Sequence, residues 1–360
     1  MLQIQLQPRW AFSDASAPAV DATVLLALLA AVQQSGSIAQ AARDTDLSYR
    51  HAWGLIERAE ALLGQPLLVR ARGRGRGCQL TELGARLVWS DARIAARLQP
   101  LMASLASEMA GELGRQAPET LPPPRLHASH GFAVEALHEQ LSQQGAVVDI
   151  RYRNSLEAVA ALAAGDCELA GFHVPLGTFE KAAGERYRQW LRPEEHCLIQ
   201  LAVRTQGLFV ARGNPLGVRG LADLARPELR FVNRPLGSGT RMLTDLMLAH
   251  AGLRPEAVNG YRTTELTHAA VAAFVASGMA DVGIGVQTAA HRFGLHFIPL
   301  TKERYFFAVQ RRHLDGPRLL PVLRVLQSPG FRARVAGLKG YDASRTGLVL
   351  DVESVLPLAG

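Results

Sequence analysis

The chain has 360 residues, enough for two or three domains, and its 48% hydrophobic and 20% charged content suits a soluble globular protein with a sizeable core. The net charge is +7 and nearly all of the positive charge is arginine, since lysine stands only at Lys181, Lys302 and Lys339; that balance favours a polyanion such as nucleic acid as partner. Cys78, Cys167 and Cys197 are odd in number and far apart, which excludes a disulfide framework and a zinc knuckle.

The first residues alternate polar and apolar without the apolar core of a signal peptide, and Val24 to Val32 is too short to span a bilayer. A cytoplasmic protein with no membrane partner is expected. Residues 1–20 read as a tail. Asp21 can cap a helix over Ala22 to Gln34, with Leu25, Leu28, Leu29 and Val32 facing inward. Ser37 caps a short helix whose Ile38, Ala41 and Ala42 share a face, and Asp44-Thr45-Asp46 ends it. Ser48 caps a longer helix, in which Ala52, Ile56, Ala59 and Leu63 recur at helical spacing until Gly64 and Pro66 stop it. Two helices joined by a tight turn, the second starting polar and basic, read as a helix-turn-helix.

Short strands at Leu67 to Arg70 and at Cys78 to Leu80 flank Ala71-Arg72-Gly73-Arg74-Gly75-Arg76-Gly77. Alternating Arg and Gly could be only a solvated charge run. Placed directly after the two helices, it reads better as a hairpin wing lying along a phosphate backbone. The predicted double-stranded DNA contacts are therefore Ser37, Ser48, Tyr49, Arg50 and His51 from the helices, the last four facing base edges. Arg70, Arg72, Arg74 and Arg76 would serve phosphates or the minor groove.

These residues carry a resemblance. Gly36-Ser37-Ile38, Gln40-Ala41-Ala42, Leu47-Ser48-Tyr49-Arg50 with Ala52-Trp53, Gly64-Gln65-Pro66-Leu67 and Leu80-Thr81-Glu82-Leu83-Gly84 resemble the winged helix-turn-helix of LysR-type regulators, and more closely that of molybdate-responsive ModE regulators. Residues 21–84 are expected to be this DNA-binding domain.

Thr81 caps a further helix to about Leu113, with Leu83, Leu87, Ile94, Leu98, Leu101, Leu105 and Met109 in one apolar stripe; Pro100 should kink or divide it. A stripe that long needs a partner, so residues 85–114 read as a dimerisation helix pairing with a second chain, as LysR-type linker helices do. Dimer and tetramer both stay open. Residues 115–125, with Pro118 and Pro122-Pro123-Pro124, form a semi-rigid spacer.

Residues 126–360 alternate short strands and helices, which predicts a mainly parallel sheet covered on both faces. Polar helix starts recur where strands hand over: Ser129-His130-Gly131, Asn154-Ser155, Gly237-Ser238-Gly239-Thr240-Arg241 and Thr267-His268. Ligands of open α/β sheets bind at such carboxyl ends, and free N–H groups at a helix start favour an anion. The candidate ligand contacts are Ser129, His130, Asn154, Ser155, His173, Ser238, Gly239, Thr240, Arg241, Thr267 and His268. Ser129, Ser155 and Thr267 could equally be helix caps, and His173 a structural histidine. Arg241 opens a helix, where the dipole disfavours a cation unless an anion is near. His127 and His130 lack the further ligands a metal would need.

A second resemblance rests on Ala170-Gly171-Phe172-His173, Gly213-Asn214-Pro215, Phe231 through Arg241, Gly260-Tyr261, Thr267 through Ala272, Ser277 through Gly283 and Phe297 through Leu300. Leu126 to about Val309 resembles the periplasmic-binding-protein-like domain found joined to regulators and to molybdenum-cofactor biosynthesis proteins. The resemblance implies a two-lobed α/β sensor behind a winged helix-turn-helix and a linker helix. It also implies a one-component transcription regulator whose small anionic effector is molybdate, tungstate or a molybdenum-linked signal. A small carboxylate such as formate is the alternative, and a transport-type binding protein or an enzyme stands further off, because no nucleophile–base pairing or metal spacing is visible. No cofactor is expected beyond such an oxyanion.

Overall fold

The computed structural model describes residues 4–13, 18–70, 77–114 and 122–356. The chain falls into two compact units, one over residues 7–95 and one over residues 96–360 with the first few residues. Arg72, Arg74 and Arg76 of the expected wing, and Pro118 of the spacer, lie outside the described residues.

In the first unit, β1 (Ala11–Phe12) and β2 (Val20–Asp21) precede α1 (Ala22–Ser35), α2 (Ile38–Asp44) and α3 (Tyr49–Leu63), followed by β3 (Leu68–Arg70) and β4 (Cys78–Leu80). The local chemistry is that of the sequence. Asp21 accepts from the Thr23 and Val24 amides, Ser37 from Gln40 and Ser48 from His51, while Gly36 and Gly64 close α1 and α3 at φ 65° and 66°. Leu25, Leu28, Leu29 and Val32 pack against Ile38, Ala41, Ala42, Ala52, Ile56 and Ala59. Leu68 pairs with Leu80 and Arg70 with Cys78, so β3 and β4 form an antiparallel pair.

One helix, α4 (Glu82–Gly114), runs from the first unit into the second, and Pro100 sits inside it without dividing it. From Ala96 onward its buried face is small: Ala96, Ala106 and Ser107. The larger residues Leu101, Leu105, Met109 and Leu113, spaced four apart, are exposed. The small face covers a sheet edge.

The second unit continues with β5 (Arg125–Ala128), α5 (Phe132–Gln143), β6 (Asp149–Tyr152), α6 (Ser155–Ala163), β7 (Leu169–Pro175), α7 (Glu180–Glu185) and β8 (His196–Val210). Then come β9 (Phe231–Val232), α8 (Gly239–His250), α9 (His268–Ala276), β10 (Val282–Val286), α10 (Gln287–Arg292) and β11 (His296–Gln310). The chain ends with α11 (Leu320–Gln327), α12 (Pro329–Ala336), β12 (Tyr341–Asp342), β13 (Val349–Asp351) and α13 (Val352–Val355). The sheet order is β6-β5-β7-β11-β8-β10-β9, with β12 and β13 also on β8. At the β6 edge, Ser104 and Ser107 of α4 accept from the Tyr152 and Ile150 amides at 3.0 and 2.8 Å, so the helix satisfies donors the edge would leave free.

The expectation of a mainly parallel sheet is corrected. Parallel pairs occur only toward the two ends, β6-β5-β7 and β10-β9. Between them β8 and β11 run antiparallel to each other over 15 residues apiece, and to β7 and β10. In the sequence, the charged Lys302-Glu303-Arg304 interrupts the apolar run of β11. Those two strands pass from one lobe to the other. Helices do lie on both faces: Tyr305, Phe307 and Val309 of β11 face α5, α11 and α12, and the alternating Phe306 and Ala308 face α6 and α13.

Candidate functional site

On α3, Ser48, Tyr49, Arg50 and His51 are all exposed at its N-terminal end. The Ser37 and Ser48 hydroxyls accept at their helix starts from Gln40 and His51. His51 lines a groove with Leu47, Leu55 and Arg58. The sequence reading passed over Trp53, which is exposed one turn on, donates to the Tyr49 hydroxyl at 2.6 Å and meets its ring edge to face. An apolar ring held open to solvent beside Arg50 was the available signal.

In the second unit, the polar helix starts converge between the lobes. The Ser155 hydroxyl lies 3.2 Å from His173 Nδ1, the His173 ring stacks 3.9 Å from that of Tyr305, and Tyr305 donates to the Ser129 carbonyl. A Cβ at Gly239 would stand 3.2 Å from His173, so a side chain there would require the histidine to shift by a few tenths of an ångström. Gly237, at φ +83°, brings the opposite loop against Asn154, whose side chain accepts from Glu157 in a capping box. Ser238 and Thr267 are the caps of α8 and α9, and Thr240 Oγ1 accepts from Gln206 at 2.9 Å. His130 packs on Tyr152, and His268 lies against Gly285.

The expected role of Arg241 changes. Its Nε donates to both oxygens of Asp245 at 2.9 and 3.1 Å, and its guanidinium lies over the Tyr261 ring, so the anion that the helix dipole calls for is supplied internally. Arg234, which the sequence reading missed, has a guanidinium with unpartnered nitrogens. It is 4% exposed, and its Nε and Nη1 are buried with no partner. Burial, and then the neighbouring Arg204, pull it down to about 9, so it stays charged at neutral pH. Arg204 is itself buried and pairs with Glu303 at 2.6 Å, its partner across the β8–β11 ladder.

Burial and the charges of Arg204 and Arg234 hold His173 and His268 well below the ordinary imidazole range, and burial with Arg234 and Arg292 takes His130 to about 4. Neutral imidazoles near a charged guanidinium with unpartnered nitrogens make a cluster suited to an anion. Among the described residues no group of His, Cys, Asp or Glu is disposed to hold a metal ion.

Residues 135–327, more than half of the chain, match the PBP superfamily domain. The chain belongs to the PBP superfamily. Residues 24–85 match the bacterial regulatory helix-turn-helix proteins of the LysR family. The architecture is thus a LysR-type helix-turn-helix domain followed by a PBP-superfamily domain, with the curled mixed sheet described above.

The uncharacterized protein YvgK of Bacillus subtilis (strain 168) is 35% identical over 200 residues, 56% of this chain and 64% of that protein. The molybdenum transport protein ModE of Azotobacter vinelandii is 44% identical over 63 residues, 17% of this chain and 23% of its own length. The chain thus spans less than two thirds of either relative. Among solved structures, that of full-length CbnR complexed with its target DNA covers 83% of this chain and 96% of its own, at 19% identity and a TM-score of 0.41.

Proposed function

We propose that this PBP-superfamily chain is a one-component transcription regulator, and not an enzyme, that binds double-stranded DNA through α3 and the β3–β4 wing and senses a small anion between the lobes of its second unit. The observation that carries the sensing half is Arg234: a buried, charged guanidinium with two unpartnered nitrogens, near the neutral imidazoles of His130, His173 and His268. Such a group is costly unless an anion completes it. Lobes joined by two continuous strands can close on that anion, and closure shifts an equilibrium only by its differential affinity for the two states.

The relatives named for molybdenum, ModE of Azotobacter vinelandii and the molybdenum-pterin-binding protein MopB of Rhodobacter capsulatus, make molybdate and tungstate the first candidates. A small carboxylate such as formate is the second reading, since Arg234 and the hydroxyls would hold a carboxylate in the same way. The exposed row Leu101, Leu105, Met109 and Leu113 supports pairing of α4 with a second copy. No described helix is long and apolar enough to cross a membrane, and the cytoplasm is the compartment in which such a regulator would meet DNA.

Calorimetric titration of the full chain with molybdate, tungstate, sulfate and formate tests the sensing half. Binding of one of them at one site per chain is expected; heats no greater than dilution for every anion would refute it.

A further inference from the structure

Glu303 lies within reach of the Arg234 charge, and its two oxygens are used unequally. Oε1 accepts from Arg204 Nε at 2.6 Å and from Gln206 Nε2 at 2.8 Å, whereas Oε2 is buried with no donor on it. Gln206 repeats the pattern: its amide nitrogen serves Glu303 and Thr240, and its Oε1 is buried without a donor. Both side chains are fully buried. They sit where the pocket is built. Thr240 is the second residue of α8, and a Cβ on Gly131, the residue before α5, would stand 3.5 Å from Arg204 Nη1.

The pocket therefore lacks two opposite things. Arg234 Nε and Nη1 lack an acceptor, and Glu303 Oε2 and Gln206 Oε1 lack a donor. His173 Nε2 and His268 Nδ1, also buried without partners, can take either role by tautomer. An anion that offers only acceptors satisfies Arg234 and leaves the oxygens of Glu303 and Gln206 facing more oxygen. A buried group left unpaired in this way is how a site rejects an analogue that lacks a donor.

We infer that the effector is an anion that also donates at least one hydrogen bond. A protonated tetrahedral oxyanion such as hydrogen phosphate, or a carboxylate bearing a hydroxyl, fits this pocket better than a bare dianion or plain carboxylate of the same size. The inference rests on the anion-sensing reading above and sharpens it, ranking the donor-free molybdate and tungstate dianions below their protonated counterparts in shape.

The test compares size-matched pairs by calorimetry on the full chain at pH 7: hydrogen phosphate against sulfate, and glycolate against acetate. The donor-bearing member of any pair that binds is expected to bind tighter by about tenfold or more. In Glu303→Gln the amide presents a donor in place of Oε2, so the preference is expected to shrink or invert, with sulfate gaining. That variant also deprives Arg204 of its carboxylate, so if it fails to fold the wild-type pairs decide. Sulfate binding as tightly as phosphate, or acetate as tightly as glycolate, overturns the donor requirement and leaves the anion reading intact. Failure of all four to bind while molybdate, tungstate or formate binds overturns the donor requirement alone; failure of those three as well overturns the anion reading, and this inference with it.

Discussion

The Thr267 hydroxyl donates to the backbone carbonyl of Ala96 at 3.2 Å. Pro100 is the reason that carbonyl is free: four residues on, it has no N–H to return the helical bond. The same hydroxyl accepts from the Ala270 amide as the cap of α9, so one side chain caps α9 and serves the free carbonyl within α4. One residue further along α4, Arg97 makes a double hydrogen-bonded ion pair with Glu265, whose side chain is fully buried. Helix α4 is thereby tied to the loop that starts α9, as well as to the β6 edge.

Thr267→Val should therefore destabilise the chain by about 1–2 kcal/mol, the sum of a lost cap and a lost side-chain bond. In a Pro100→Ala background the helix can satisfy Ala96 itself, and the cost should fall by roughly 0.5–1 kcal/mol. Urea unfolding of the four proteins measures the coupling. Strictly additive costs would mean that Ala96 and Thr267 do not act on each other.

Arg234→Ala should weaken binding of whichever anion the chain takes by about tenfold to a hundredfold, since hydrogen bonds to charged groups contribute roughly 1.5–3 kcal/mol. Arg241→Ala should cost much less, because Asp245 already holds that guanidinium. Calorimetry on the two variants separates them, and the reverse order of losses would return the anion to Arg241.

The sequence reached this site by way of its helix starts and stopped short of its centre. Ser238-Gly239-Thr240 and Thr267-His268 announce themselves as caps, Ser155 begins α6, and His173 follows the apolar Ala170-Gly171-Phe172 inside β7. Arg234 stands in the loop between Val232 and Ser238, where no period marks it. Arg204, Gln206 and Glu303 lie within long strands, and charged residues there break the apolar run that makes a strand visible. Their pairing across the β8–β11 ladder is a long-range fact that no local pattern encodes. The first unit was legible down to its caps because every one of them is local.

Stability should fall with acid between about pH 6.5 and 4. His173, His268 and His130 have folded values below the ordinary imidazole value of about 6.5, so the unfolded chain binds more protons than the folded one in that window. Their contribution is complete above 6.5 and is lost as pH falls through the folded values. For His130, at about 4, the linkage amounts to about 3 kcal/mol. Urea midpoints at pH 7 and pH 5 measure it, and equal midpoints would show that these imidazoles are not held neutral.

Leu101→Asp with Leu105→Asp should turn a dimer into a monomer, because both residues are exposed in the single chain and charges there would be buried only on pairing. Light scattering on wild type and variant decides. An unchanged dimer mass would place the contact elsewhere.

The most direct test of the whole account is the affinity of the full chain for duplex DNA carrying its site, measured by fluorescence anisotropy at fixed salt, with and without a saturating anion identified by the calorimetry. Each measurement is repeated on Arg234→Ala across a titration of the anion. The account predicts that the anion changes DNA affinity several-fold in the wild-type chain, and that Arg234→Ala needs about tenfold to a hundredfold more anion for the same change. An equal anion requirement in both proteins, or no response in the wild type, would contradict it.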